Sequence, residues 1–397
     1  MKPNFRDAIE RASKLTRAQD HVEATRVLMR GLTNAASGVP APREAAPPSA
    51  PWIEKLTESA KSLAGGYTPD AASARVALPL GETLERLKKG ELPDLGQGMG
   101  ALAKLRKAPQ VIVPDGASYL ARTFACDAGM RPYKVYVPAR RGEGQLPLVI
   151  MLHGCTQTAD DFAVGTGMNA LAEEHGFIVV YPEQVMTANH LGCWNWFNPQ
   201  DQLRDRGEPS IIAGLTRALI SEMSIDPERV FVAGLSAGGA MVEVMSATYP
   251  DLYAGACVHS GLVYGVASDT ASAFVAMNGK SQGRAKRARD RVRTIIFHGA
   301  ADQRVHPTNG ELILAEARAG LSRHHRETTE RGNANGRHYS RTVVADARGV
   351  PQVEYWNIEG LGHAWSGGSP EGSHTDRRGP DASREMMRFF LQKPPRH

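Results

Sequence analysis

The stretch LPLVIMLHG, residues 146–154, constrains this chain more than any other feature. It runs without a charged residue and ends in His153-Gly154, as a strand buried on both faces would. The pattern recurs in FIVVYPE (177–183), RVFVAG (229–234), AGACVHSG (254–261), RTIIFHGAAD (293–302) and VEYWNIEG (353–360). Between these runs lie apolar residues at helical spacing. MNALAEEHG is closed by Gly176, and SIIAGLTRALISEMSI precedes a turn read at Asp226-Pro227. A third helix follows Ser236 as far as Tyr249-Pro250, and ASREMMRFFLQ is the last. YKVYVPA (133–139) reads as an antiparallel strand on the edge of this set. Buried strands alternating with helices predict an α/β fold, a mostly parallel central sheet covered by helices on both faces.

The 397 residues are enough for one large α/β domain and additional segments. Residues 1–36 read as an amphipathic helical extension, with Phe5, Ile9, Ala12, Leu15, Val22, Val27, Leu28 and Leu32 mostly at three- or four-residue steps. Residues 37–51, SGVPAPREAAPPSAP, form a Pro/Ala-rich linker, and 52–116 a variable helical and loop segment. The α/β domain is expected over 117–392. The leading third either docks on that domain, lies on another surface or stays partly disordered.

The net charge of +5 is mild, and much of the basic excess sits in KSQGRAKRARDRVR, 280–293. That stretch reads as a solvated surface loop, the alternative being attraction to an acidic or polymeric surface. No nucleic-acid motif accompanies it. No apolar run approaches the ~18 residues of a membrane span. The charged N-terminal segment also lacks the apolar core of a signal peptide, so a cytoplasmic location is expected. Four cysteines, Cys126, Cys155, Cys193 and Cys257, are too scattered for a disulfide framework or a metal site. Buried free thiols are the default, with a Cys155–Cys193 pair left open.

Gly234-Leu235-Ser236-Ala237-Gly238 fits G-x-S-x-G with a strand before it and a helix after it. So sharp a strand-to-helix turn tolerates only small neighbours, which Gly234, Ala237, Gly238 and Gly239 are. The reading is a nucleophile at the carboxyl edge of the sheet; the alternative is a glycine-rich packing turn. A serine needs a base, and the base an orienting acid, in the chain order Ser, acid, His. Asp302 follows the strand RTIIFHG, and His363 follows the last strand in IEGLGHAWSGG. His259, His298, His306 and His374 are rivals for the base, but none ends the last strand. Asp346 could replace Asp302 only with a different strand count. The loop LHGCTQTADDF supplies a second oxyanion donor, the amide of Cys155 or Thr156, paired with that of Ala237. Such donors are worth about 3–4 kcal/mol each in the transition state. His153 reads as structural. Trp194, Trp196 and Phe197, with Trp365 beyond His363, are read either as an aromatic cleft for acyl or polyester chains or as core beneath a long loop.

LHGCTQTADDF, CWNWF, GLSAGGAM, HGAADQRVHP and GLGHAWSGG together resemble the polyhydroxybutyrate depolymerase family of esterases, in particular the type 1 catalytic domain of short-chain-length polyhydroxyalkanoate depolymerases. The resemblance covers roughly 117–392. It implies an α/β-hydrolase fold, a serine-esterase mechanism on Ser236, His363 and Asp302, and hydrolysis of (R)-3-hydroxybutyrate polyester or its oligomers. No metal or organic cofactor is implied. Feruloyl and acetyl xylan esterases share the superfamily and supply the alternative substrate; a non-catalytic granule-coating protein is the reading from another class. With no export signal or further substrate-binding domain evident, action on storage granules or oligomers inside the cell is expected, the amphipathic N-terminus being a candidate granule contact.

Overall fold

The computed structural model describes residues 109–392 other than 141, 143, 281–291 and 322–324. The readings made for residues 1–108, and for most of the basic stretch 280–293, fall outside these residues.

The apolar run at 146–154 is strand β3, Leu146–Leu152, and all seven of its side chains are buried. It follows β1 (Ser118–Cys126) and β2 (Gly129–Val137), and precedes helices α1 (Ala159–Thr166) and α2 (Met168–His175). After β4 (Ile178–Pro182) come a 3-10 turn at Pro199–Gln202, helix α3 (Gly207–Glu222) and β5 (Ile225–Leu235). Helix α4 (Ala237–Thr248), β6 (Gly255–His259), α5 (Thr270–Met277), β7 (Arg293–Gly299) and α6 (Thr308–Ala319) continue the alternation. β8 (Arg326–Ala334), β9 (Arg337–Ala345) and β10 (Pro351–Ile358) follow, then the short pair β11 (Trp365–Ser366) and β12 (Thr375–Asp376), and α7 (Ala382–Leu391).

Ten strands form one sheet in the order β1-β2-β4-β3-β5-β6-β7-β10-β9-β8. The six from β4 to β10 are parallel, and antiparallel pairs extend both edges. Alternate residues of the central strands enter opposite cores. Leu148, Ile150 and Val232 pack with α3 and α4 on one face. Val149, Met151, Phe231 and Ala233 pack with α1, α2 and α7 on the other. Burying each large apolar side chain contributes roughly 1.5–3 kcal/mol, which makes these strands the rigid frame of the molecule.

From β3 the chain goes first to β4 on one side and later to β5 on the other. Such a reversal opens a crevice at the carboxyl ends of the two strands, where ligands bind in open α/β sheets. Of α4, all but Ala247 is buried, so the helix behind that crevice is itself part of the core.

Two local expectations change. Asp226-Pro227 lies inside β5, as a bulge between the pairs Leu146–Ile225 and Leu148–Val230, where the Asp226 carboxylate accepts the Glu228 amide. The β8–β9 hairpin, turning at Asn335-Gly336 with φ of 46° and 78°, is not among the strands read from sequence. β8 is mostly exposed, so no apolar alternation marks it. Among the described residues no helix is long and apolar enough to cross a membrane. None of their His, Cys, Asp and Glu side chains form a group of three or more able to hold a metal ion.

Candidate active site

Ser236 joins β5 to α4 with φ 58° and ψ −119°, a conformation that costs a residue with a Cβ of order 1–3 kcal/mol. Its amide donates to the His259 carbonyl at 2.9 Å and its carbonyl accepts the Ala240 amide at 2.8 Å, so the turn is gripped on both sides. Close backbone approach explains the glycines. A Cβ on Gly238 would lie 2.0 Å from the Leu152 carbonyl oxygen, and one on Gly234 would lie 2.5 Å from the Gly238 carbonyl carbon.

His363 reaches this corner from the loop after β10. Its Nε2 is 2.8 Å from Ser236 Oγ and its Nδ1 2.7 Å from Asp302 Oδ2. With Nδ1–H donated to the carboxylate, Nε2 is left to accept the serine proton. Asp302 is buried in the turn after β7, and its Oδ1 accepts the amides of Arg304 and Val305, each at 2.9 Å. Burial pushes this carboxyl pKa up, but the His363 contact and the two amides outweigh it and hold the group below its ordinary value. The carboxylate, imidazole and hydroxyl thus come from beyond the ends of β7, β10 and β5, in one hydrogen-bonded chain.

The rival histidines are placed differently. His298 is fully buried, donates Nε2–H to the Val305 carbonyl at 2.8 Å and sits 3.7 Å from Asp302 Oδ2. His259 accepts the Ser366 amide at 3.0 Å and stacks on Trp365 with ring centroids 5.0 Å apart. Burial, then the nearby His298 and His363, push the His259 pKa down to about 3, so both its neighbours see a neutral ring. His306 bonds locally to Thr308, and Asp346 caps its own turn at Val350.

Of the two amides proposed after β3, that of Thr156 is occupied. It donates to the Leu191 carbonyl at 2.9 Å, which leaves the Cys155 amide as the unengaged one of the two. Among the described residues nothing accepts the amides of Cys155 or Ala237. The open question of Cys155 and Cys193 resolves as a disulfide, against the free-thiol default, while Cys126 and Cys257 are free.

The three tryptophans are buried in the core, and Phe197 is partly exposed against it. Trp194 is wholly buried, and its indole N–H donates to the His153 carbonyl at 3.1 Å. Trp196 is buried and meets half-buried Phe197 edge-on. Trp365 is buried with its indole N–H on Ser383 Oγ at 3.0 Å. A tryptophan satisfied in this way offers little surface to a ligand.

Gln157 escaped the sequence reading. Its Oε1 accepts the Gly154 amide at 2.9 Å, while its Nε2 donates to Asp161 Oδ2 at 2.9 Å and to the Ser373 carbonyl at 3.1 Å. It therefore ties the loop after β3 to the segment that follows His363. The only hint in the sequence is its place just before Thr158, which caps α1.

The sheet and the strand-turn-helix at Ser236 give the chain an α/β-hydrolase fold. An acetyl xylan esterase from Aspergillus awamori has a similar fold, with TM-score 0.53 and 24% identity over 69% of this chain and 98% of that one. Residues 131–318 match the family described as Esterase PHB depolymerase. It is 34% identical to poly(3-hydroxyalkanoate) depolymerase C of Paucimonas lemoignei over 274 residues, 64% of each chain. It is also 31% identical to a probable acetylxylan esterase A of Neosartorya fischeri, over 50% of this chain and 57% of that one. The chain thus spans less than two thirds of the length of either relative.

Proposed function

We propose that the protein is a serine esterase that hydrolyses poly(3-hydroxybutyrate) or its oligomers through an acyl-enzyme on Ser236. The observation that carries this reading is the Ser236–His363–Asp302 chain, 2.8 and 2.7 Å in its two links, beside the unengaged amides of Cys155 and Ala237. Ser236 Oγ attacks the ester carbonyl as His363 Nε2 takes its proton. Asp302 fixes the Nδ1–H tautomer and stabilises the imidazolium. The two amides receive the oxyanion, and the positive end of α4 lies behind Ala237. On collapse the ester C–O bond breaks, the alkoxide leaves with the proton from His363, and the acyl group stays on Ser236. Water, deprotonated by His363, then releases the hydroxyacid and restores the serine.

The polyester is supported by the family match and by the depolymerase relative. A second reading, an acetyl or feruloyl esterase of carbohydrate, is favoured by the acetylxylan esterase relative and the structural neighbour. Association with a storage-granule surface fits the polyester reading. The Cys155–Cys193 bridge favours an oxidising compartment over the cytoplasmic location expected from sequence.

Release of 3-hydroxybutyrate from amorphous polymer is to be measured beside acetate release from acetylated xylan and ferulate release from a feruloyl sugar. Polymer is expected to be preferred, and a clear preference for either carbohydrate ester would overturn the substrate. Ser236→Ala is expected to abolish turnover of short p-nitrophenyl esters in a folded protein; retained activity would overturn the mechanism.

A further inference from the structure

Glu208 is buried in the first turn of α3, yet four donors converge on its carboxylate. Arg131 Nη2 approaches Oε1 at 3.1 Å, Asn195 Nδ2 at 2.8 Å, and Gln184 Nε2 also donates there. The Asn195 amide donates to Oε2 at 2.7 Å. None of these groups can accept a proton, so the geometry fits the ionised carboxylate. Burial, with Asp201 nearby, holds the carboxyl pKa above its ordinary value, and Gln184, Asn195 and Arg131 offset only part of that rise.

Two lines run from Glu208 to one peptide. Along the first, the Gln184 backbone amide donates to His153 Nε2 at 3.0 Å, and His153 Nδ1–H donates to the Gly154 carbonyl at 2.8 Å. The Gly154–Cys155 peptide is trans, so anchoring its carbonyl on the imidazole turns the Cys155 N–H away from that ring. Gly154 itself lies against Ser236, a Cβ there being 3.5 Å from the serine Cβ. Along the second line, Gln184 Nε2 donates to the Cys193 carbonyl at 2.9 Å, Asn195 is held directly, and Cys193 is bonded to Cys155.

We infer that Glu208 is a positioning residue for catalysis, clamping both attachments of the 153–155 loop so that the Cys155 amide is aimed where the oxyanion forms. It touches no reacting atom. Its charge sets the direction of four donors, and through them the orientation of one peptide plane. Nothing in the sequence marks it, since RDRGEPS matches no motif.

The inference rests on the esterase reading and is separable from it. Glu208→Gln keeps the size of the side chain but presents an NH2 to a ring of donors. In the folded variant, kcat on p-nitrophenyl butyrate is expected to fall about tenfold or more, short of the ~10²–10³ for outright loss of an oxyanion donor. KM should stay within about twofold, because the lost contact is made in the transition state. The Ki of phenylboronic acid, whose tetrahedral adduct on Ser236 places an oxygen at the two amides, should rise in parallel with the loss of kcat. A folded Glu208→Gln with wild-type kcat and Ki overturns the inference, as does a change confined to KM. Should that variant fail to fold, Gln184→Leu, which keeps the backbone amide on His153, decides by the same two readings. Activity surviving in Ser236→Ala would instead overturn the esterase reading itself.

Discussion

At the residue scale, Asp302 shows how a buried charge is held in place. Its two oxygens meet one imidazole N–H and two amides, and the carboxylate is the form all three prefer. A carboxyl held below its unfolded value of about 3.9 contributes stability above that pH and loses it as pH falls through the folded value. Asp302→Asn removes this contribution and offers His363 a neutral partner that no longer enforces its tautomer. Turnover should drop on the order of 10⁴-fold with the fold retained. Denaturant titrations below pH 4 should also show a shallower acid loss than in the wild type. An unchanged rate constant would count against Asp302 as the orienting acid. That Ser236, Asp302 and His363 could meet was legible in the sequence because each lies just beyond the end of a buried strand. Thr156 against Cys155 was not, because the choice depends on where the Leu191 carbonyl lies, 35 residues away.

At the scale of the element, the segment from Gly192 to Asn198 reads as a loop in sequence and behaves as core in the fold. Trp194 is enclosed, with its indole N–H on the His153 carbonyl and its ring 5.6 Å from the imidazole. Trp194→Phe leaves that carbonyl without its donor in a buried site, at a cost of about 1–3 kcal/mol. Chemical denaturation should register this loss, with KM for soluble esters unchanged. A shift in KM at unchanged stability would return Trp194 to the substrate. Composition marked these aromatics as unusual, but a loop rich in tryptophan has the same sequence whether it lines a cleft or fills one. Helices were more readily read. Gly176 takes φ of 68° and closes α2 where the helical pattern stops, since a left-handed cap is a local property of the chain.

At the scale of the whole molecule, His153, His259 and His298 are all buried, and burial lowers the pKa of each. A histidine neutral in the fold takes a proton on unfolding once pH is below about 6.5. The unfolded chain then binds more protons, so stability falls as pH drops from about 6.5 toward the folded value, near 3 for His259. Thermal melts between pH 7 and pH 4 should show a steep decline, and His259→Gln should flatten it even if its melting temperature is lower throughout. A slope unchanged by that variant would mean that His259 is not one of the groups responsible. These histidines carry two roles in one sequence pattern, for nothing in HGC, HSG or HGA says whether the ring faces solvent, substrate or core.

What the sequence determined by itself is whatever depends on neighbours along the chain. It set which runs become buried strands, where helices cap, why small residues flank Ser236, and in what order hydroxyl, acid and base arrive. Tertiary structure alone decided the Cys155–Cys193 bond, the enclosure of the tryptophans, the free amide of Cys155 and the four donors around Glu208. Each of these joins segments separated by tens of residues, and its geometry exists only once the sheet has brought the strand ends together. Periodicity reports the face a residue presents, whereas a hydrogen-bond partner across the fold is fixed by packing.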